Sequence, residues 1–385
     1  MYLLLLAVIY LSFISLGLPD SMLGAAWPTL YAELDVPISY MGIITIIISL
    51  GTVLSSLLTD RAIARLGTRL VTAISIFLTA AALFGFSTSK SLLVLCLWGI
   101  PYGLGAGAID AALNNYVATH YNSRHMSWLH CFWGVGTIIS PYIMSYALMH
   151  TVWQNGYRAV SVIQLCIGVI VLLSYPLWKT KGVEEKDNTE VKPIGFIGVM
   201  KIKGAIPVMI GFLSYCAAEI TATLWTSSYF EGAFNVSKEE AAMFGSICFI
   251  GITVGRFIAG FFSEKLGDRA MIGIGGIIAM VGGALIAIPI KEVAIAGFVV
   301  FGLGCAPIYP SIMHSIPARF GKERSQSIIG IQMASAYIGS LLAPAAFGII
   351  ADDISLRLMP IYLAFFFILM ILMITKIEKI HRIDV

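Results

Sequence analysis

The sequence predicts an all-α membrane protein with twelve transmembrane helices in two pseudo-symmetric six-helix bundles. Three observations carry that expectation. The chain is apolar in blocks of about 20 residues, the length that crosses a hydrocarbon core. A single long polar segment lies near its middle, and a repeat relates the two sides of that segment. The 385 residues are 58% hydrophobic and 12% charged, with a mean hydropathy of +0.90. A soluble chain carries about a quarter charged residues, so roughly half the usual charge is missing. A closed β-barrel, the other architecture that satisfies its backbone in lipid, would need short alternating strands with polar lumen positions, and the sequence has none.

The spans fall near 3–31, 39–60, 68–88, 91–119, 126–149, 157–178, 204–231, 241–263, 270–290, 293–316, 326–351 and 359–376. The first, "MYLLLLAVIYLSFISLGL", opens like a signal peptide. It has no basic leading region and runs past residue 18 without a small-residue cleavage site, so it reads as a span. Charged or turn-rich breaks separate the next five: "ELDVPIS", "TDRAIARLGTR", "STSKS", "HYNSRH" and "HTVWQNGYR". Then comes "WKTKGVEEKDNTEVKPIGFIGVMKIK" (178–203), the only long polar segment. It divides the chain into an N-terminal bundle over 1–178, a linker over 179–203 and a C-terminal bundle over 204–385. The last six spans are parted by "FNVSKEE", "EKLGDR", "PIKE", "ARFGKERSQ" and "DDISLRLMP".

Lys and Arg set the orientation. Lys90, Arg158, Lys238, Lys291 and Arg357 fall at one set of helix ends and Arg256 lies within a span, while the rest of the 24 gather at the other ends. The crowded side reads as cytoplasmic, with both termini on it, in a multi-pass protein of the inner (plasma) membrane. The halves also repeat. "SLGTVLSSLLTDRAIARLGTRLV" (49–71) aligns without a gap on "FIGITVGRFIAGFFSEKLGDRAM" (249–271), pairing Gly51 with Gly251, Arg65 with Lys265, Gly67 with Gly267 and Arg69 with Arg269. "YGLGAGAI" (102–109) meets "FGLGCAPI" (301–308), and Asp20 falls opposite Glu219. Such a half-chain repeat marks secondary transporters, whose substrate site lies between the repeats near the membrane midplane.

The segment "GFFSEKLGDR" (260–269) resembles the loop signature of the major facilitator superfamily, with Glu264 at its acidic position followed by Lys265, Gly267 and Arg269. The first-half copy departs from it, with Asp60 at the glycine position and Ala64 at the acidic one. "GYR" (156–158) is similar to the superfamily's Gly-Trp-Arg in the sixth span. Three further stretches resemble the fucose–proton symporter family: "GLPDSMLGAAWP" (17–28), "IDAALNNYV" (109–117) and "WLHCFWGVGTIISP" (128–141). The resemblance implies the major facilitator fold and gives Asp20 and Asp110 roles in proton coupling and sugar binding.

Helical spacing sorts the intramembrane polar residues independently of any family. Gly103, Gly107, Asp110 and Asn114 form one stripe, as do Gly17, Asp20, Gly24, Trp27 and Tyr31, and then Tyr215, Glu219, Thr223 and Thr226. Charged side chains in a bilayer turn toward the bundle interior or a watery cavity. A carboxylate there can take a proton from one side and release it to the other, so Asp20, Asp110 and Glu219 are the coupling candidates. The competing reading is a capped helix break or a paired neighbour. Asn114, Asn115, Gln164 and Gln332 suit hydroxyl partners. Trp27, Trp128, Trp133 and Trp225 offer faces for a sugar, although packing or an interfacial belt competes for each. Trp98, Trp153 and Trp178 go to packing or that belt. His130 either assists a proton or hydrogen-bonds between helices. Arg65, Arg69, Arg256, Glu264, Lys265 and Arg269 read as gating or structural charge, with Arg256 expected to brace the inner gate with Glu264 rather than touch the solute, the alternative for it.

These features point to a secondary transporter of a small hydroxylated solute, most simply a monosaccharide taken up with protons by alternating access. Efflux of small amphiphiles, sodium coupling and a sugar-sensing receptor of transporter-like build stay open. No enzyme is indicated. "GLGAGA" and "GIGG" lack the strand–loop–helix context of a phosphate loop, and no nucleophile–base or metal-ligand cluster stands out. All six cysteines lie inside spans without metal or disulfide spacing. A net charge of +3, placed as above, excludes a nucleic-acid partner. No cofactor is expected, and a monomer is.

Overall fold

The computed structural model describes residues 2–37, 40–179, 194–236, 244 and 247–383, and every regular element among them is a helix. Among the described residues, ten helices are long and apolar enough to cross a membrane. Two of those are double. Helix α3 (Met41–Thr88) holds the second and third spans and turns at Gly67, φ 75° and ψ 159°. Its counterpart α10 (Ile247–Ile286) turns at Gly267, φ 74° and ψ 160°. A positive φ strains any residue with a Cβ, which is why both copies of the repeated loop carry glycine there. Dividing the two at these turns brings the ten to the twelve crossings expected.

The first span departs from expectation. It is two helices, α1 (Tyr2–Asp20) and α2 (Met22–Glu33), with a turn at Ser21. Pro19, which carries no backbone N–H to donate, sits just before the break. The remaining helices are α4 (Leu92–His120), α5 (Ser123–His150), α6 (Trp153–Leu173), α7 (Tyr175–Lys179), α8 (Gly195–Met200), α9 (Ala205–Phe234), α11 (Lys291–Cys305), α12 (Ile308–Phe320), α13 (Lys322–Asp353) and α14 (Met359–Ile383). Most of the expected linker, 180–193, lies outside the described residues, as do Lys181, Lys186, Lys192 and Lys238 of the charge argument.

By their contacts the residues divide into two compact units, Met1–Tyr116 with Leu129–Gly195, and Val117–Trp128 with Phe196–Val385. In the first unit, Leu18, Met22, Trp27, Leu30, Tyr102, Trp153 and Tyr157 make a buried cluster. Glycines let helices cross closely where a bilayer supplies no hydrophobic drive between them. A Cβ on Gly51 would stand 3.1 Å from Gly103 Cα, and one on Gly251 would stand 3.1 Å from Gly302 Cα. Outward faces carry large apolar side chains such as Leu50, Leu54, Phe84 and Leu93 in one unit, and Phe257, Ile277, Ile361 and Phe365 in the other. Lipid is the solvent such faces suit.

Candidate functional site

In the first unit the break after Asp20 leaves its carboxylate at a helix end, where two neighbours hold it. Tyr102 on α4 donates its hydroxyl to Oδ1 at 2.8 Å, and Trp133 on α5 donates Nε1 to Oδ2 at 2.8 Å. Gly17 brings α5 close enough for this, since a Cβ there would overlap the Trp133 carbonyl. Asp20 itself is exposed.

The second carboxylate is enclosed. Asp110 on α4 is 7% exposed and Asn114, one turn on, is fully buried. Asn114 Nδ2 donates to Asp110 Oδ1 at 2.7 Å and to the Asp110 carbonyl at 3.0 Å. Its Oδ1 faces His130 Nε2 from α5 at 3.0 Å. With the amide nitrogen committed to Asp110, the oxygen accepts, so His130 carries its proton on Nε2. The imidazole packs edge-on to Phe13. Asp110, Asn114 and His130 thus form one chain across two helices, while Gly107 of the same stripe faces Thr52 and Ser55 on α3.

In the second unit Glu219 on α9 pairs with Arg256 on α10, Oε1 to Nη2 at 3.0 Å. This corrects the expected pairing of Arg256 with Glu264. Eight residues along one helix is a rise of about 12 Å, beyond the reach of both side chains, whereas α9 lies beside α10. Glu264 instead accepts from Arg124 at 2.9 Å and Asn122 at 3.2 Å. Arg269 pairs with Glu378 at 2.9 Å. Arg69 donates to the Leu172 carbonyl at 3.1 Å and lies over the Tyr175 ring. Arg65 and Lys265 are exposed.

The other expected site residues are scattered. Gln164 is fully engaged, accepting from Ser15 at 3.1 Å and Thr79 at 2.7 Å and donating to the Ser15 carbonyl at 2.7 Å. It ties α1, α3 and α6 together. Trp27 lies in the buried apolar cluster. Trp225 donates to the Pro344 carbonyl at 3.0 Å and meets Phe347 edge-on, joining α9 to α13. Asn115 is half-buried, one step round α4 from Asn114. Gln332 is fully buried, and neither its Oε1 nor its Nε2 has a hydrogen-bond partner among the described residues.

Three residues that carry the site were missed or underweighted. Tyr102 holds Asp20, and its only sequence signal was its place beside Gly103. Tyr309 lies with its ring 6.0 Å from the Arg256 guanidinium carbon. His314 sits between Asp268, Nδ1 to Oδ2 at 2.7 Å, and the Tyr121 carbonyl, Nε2 to O at 3.1 Å.

Two repeated six-helix units, with carboxylates inside their helices and a discontinuous first span, define a secondary transporter. The chain belongs to the Major Facilitator Superfamily, whose model matches residues 9–209 and 207–380. Among relatives it is similar to Bypass of stop codon protein 6 of Saccharomyces cerevisiae, 24% identical over 91% of this chain and 77% of the other. It is also similar to the cis,cis-muconate transport protein of Acinetobacter baylyi, 23% identical over 76% of this chain and 74% of the other. Among solved structures it matches the E. coli fucose:proton symporter FucP, with a TM-score of 0.74, 14% identity, and 97% of this chain and 99% of that one covered. It also matches the proton:xylose symporter XylE bound to 6-bromo-6-deoxy-D-glucose, with a TM-score of 0.80, 12% identity, and 96% and 94% covered. The chain is therefore a transporter rather than an enzyme, with a fold similar to the fucose–proton symporter.

Proposed function

We propose that the protein takes up a small hydroxylated solute, most simply a monosaccharide, with protons, its two six-helix halves alternating access to a midplane site. The observation that carries this reading is the Asp110–Asn114–His130 chain. It buries a carboxylate, an amide and an imidazole on two adjacent helices, the groups that proton transfer and hydroxyl recognition need. Asp20, Asp110 and Glu219 are the coupling carboxylates, Asn114 and His130 hold Asp110, and Trp133 is offered to the solute in the first unit. Gln332, buried with an unanswered amide, is the corresponding hydroxyl partner in the second. The sugar:proton symporters that share the fold support the solute class, and the muconate relative shows that cargo varies among relatives of this fold. In the same reading the protein is a monomer in the inner membrane with both termini cytoplasmic, and 179–203 links bundles over 1–178 and 204–385.

A thermal-shift screen of monosaccharides at pH 6 and pH 8, with and without sodium, tests this. The reading expects stabilisation by a sugar, stronger at pH 6 and indifferent to sodium. Sodium-dependent stabilisation at both pH values overturns the proton as coupling ion. Labelled-sugar counterflow in proteoliposomes then separates a transporter from a receptor, which binds without exchanging.

A further inference from the structure

In the second unit a carboxylate named for coupling is buried against a cation, Arg256. Glu219 and Arg256 meet at 3.0 Å with side chains 9% and 6% exposed. Hydroxyls surround them. Tyr215 donates to the Cys305 carbonyl at 3.0 Å, and Tyr309, its ring beside the guanidinium, directs its hydroxyl to the Met333 sulfur at 3.3 Å. One position before Met333 stands Gln332 with its unanswered amide. The titratable groups around the Glu219–Arg256 pair are Tyr215 and Cys216 on α9, Cys248 on α10, Cys305 on α11 and Tyr309 on α12. Phenols and thiols are neutral near pH 7, so these neighbours add no charge to the pair.

A guanidinium keeps its proton at any pH a cell reaches. In an apolar interior Arg256 therefore needs an anion beside it at every stage. Glu219 is that anion here. If Glu219 takes a proton alone, the site is left with an uncompensated positive charge. If a second anion arrives while Glu219 is ionised, the excess is negative. Each half-step leaves a buried charge unbalanced, which is strongly unfavourable, and only the two together keep the site neutral. A proton on Glu219 and one negative charge on the solute thus enter as a pair.

We propose that the hydroxylated solute carries a carboxylate, as a sugar acid does, and that Arg256 binds this carboxylate when a proton on Glu219 releases it. The proposal rests on the uptake reading above and narrows its solute class. A proton from water joins a Glu219 oxygen, the Arg256–Glu219 contact opens, and a contact from Arg256 to the solute carboxylate forms. No other bond changes. The planar guanidinium matches a carboxylate in two-point geometry, while Tyr215, Tyr309 and Gln332 offer partners for hydroxyls.

The test is equilibrium binding to the purified full chain between pH 6 and pH 8, with D-gluconate and D-glucuronate against neutral D-glucose and L-fucose. One proton taken up with each anion makes affinity rise about tenfold for each unit the pH falls. Glu219→Gln is expected to remove that tenfold-per-unit component for the acids, which still bind through Arg256. Arg256→Gln is expected to weaken the acids by about 100-fold or more, the loss of a charge-assisted contact, with partial rescue by Arg256→Lys. If Arg256→Gln does not fold, Glu219→Gln/Arg256→Gln restores neutrality to the site and is expected to fold yet not bind the acids. Neutral sugars binding while the acids neither bind nor compete would overturn the proposal and leave the uptake reading standing. Acids binding equally well to the double variant would also overturn it. Binding of neither class overturns both.

Discussion

The two units bend at equivalent glycines, Gly67 and Gly267, through nearly identical angles, and each brings two helices together at equivalent glycine pairs. Within that shared scaffold their intramembrane acids are treated differently. In the first unit Asp20 and Asp110 accept hydrogen bonds from a phenol, an indole and an amide. In the second, Glu219 faces a guanidinium. Neutral donors tolerate loss of the carboxylate's charge, whereas an ion pair does not. The comparison teaches that duplication fixed the helix crossings, while the charge at each site was set separately.

The largest expected effect comes from breaking the charged site. Arg256→Gln leaves Glu219 buried beside no cation of its own pair and is expected to cost about 3–5 kcal/mol, seen as a lowered thermal midpoint in detergent. Glu219→Gln in addition recovers much of that loss, and no recovery would show that packing, not charge, holds the pair. Next comes the scaffold. Gly103→Ala and Gly302→Ala each force a Cβ into a carbonyl, of Ile48 and of Cys248, and each is expected to cost about 1–3 kcal/mol. Losses that differ by more than that range would deny the equivalence of the two crossings. Smaller again is Tyr102→Phe. Asp20 is exposed, so losing one donor is expected to cost under about 1 kcal/mol, while uptake falls because the carboxylate loses its orientation. The smallest is Arg124→Gln. Its pair with Glu264 is 38% and 30% exposed, and surface pairs contribute about 0–1 kcal/mol.

The scaffold was legible in the sequence because its signals are one-dimensional. Hydropathy marks spans, and a glycine at a positive φ or a close crossing recurs at fixed spacing, as at Gly67 and Gly267. What sequence reading misjudged depends on a third dimension. The stripe through Gly17, Asp20, Gly24 and Trp27 puts Trp27 on the face of Asp20 without naming its neighbours, and those enclose it in the apolar cluster. Partners across helices, such as Tyr102 with Asp20 or Arg256 with Glu219, depend on the rotation of each helix about its axis. Periodicity places a residue on a face without naming what stands opposite. Gln164 shows the same limit, since an amide suited to a solute hydroxyl is spent on Ser15 and Thr79.

The central claim is that Asp110, held by Asn114 and His130, couples the solute to the proton. Asp110→Asn preserves an acceptor for Asn114 and removes the titration. Its direct test is uptake into proteoliposomes under an imposed pH gradient, measured beside counterflow with no gradient. The account predicts that Asp110→Asn keeps wild-type counterflow and loses gradient-driven accumulation. Accumulation equal to wild type, with counterflow equally intact, would contradict it.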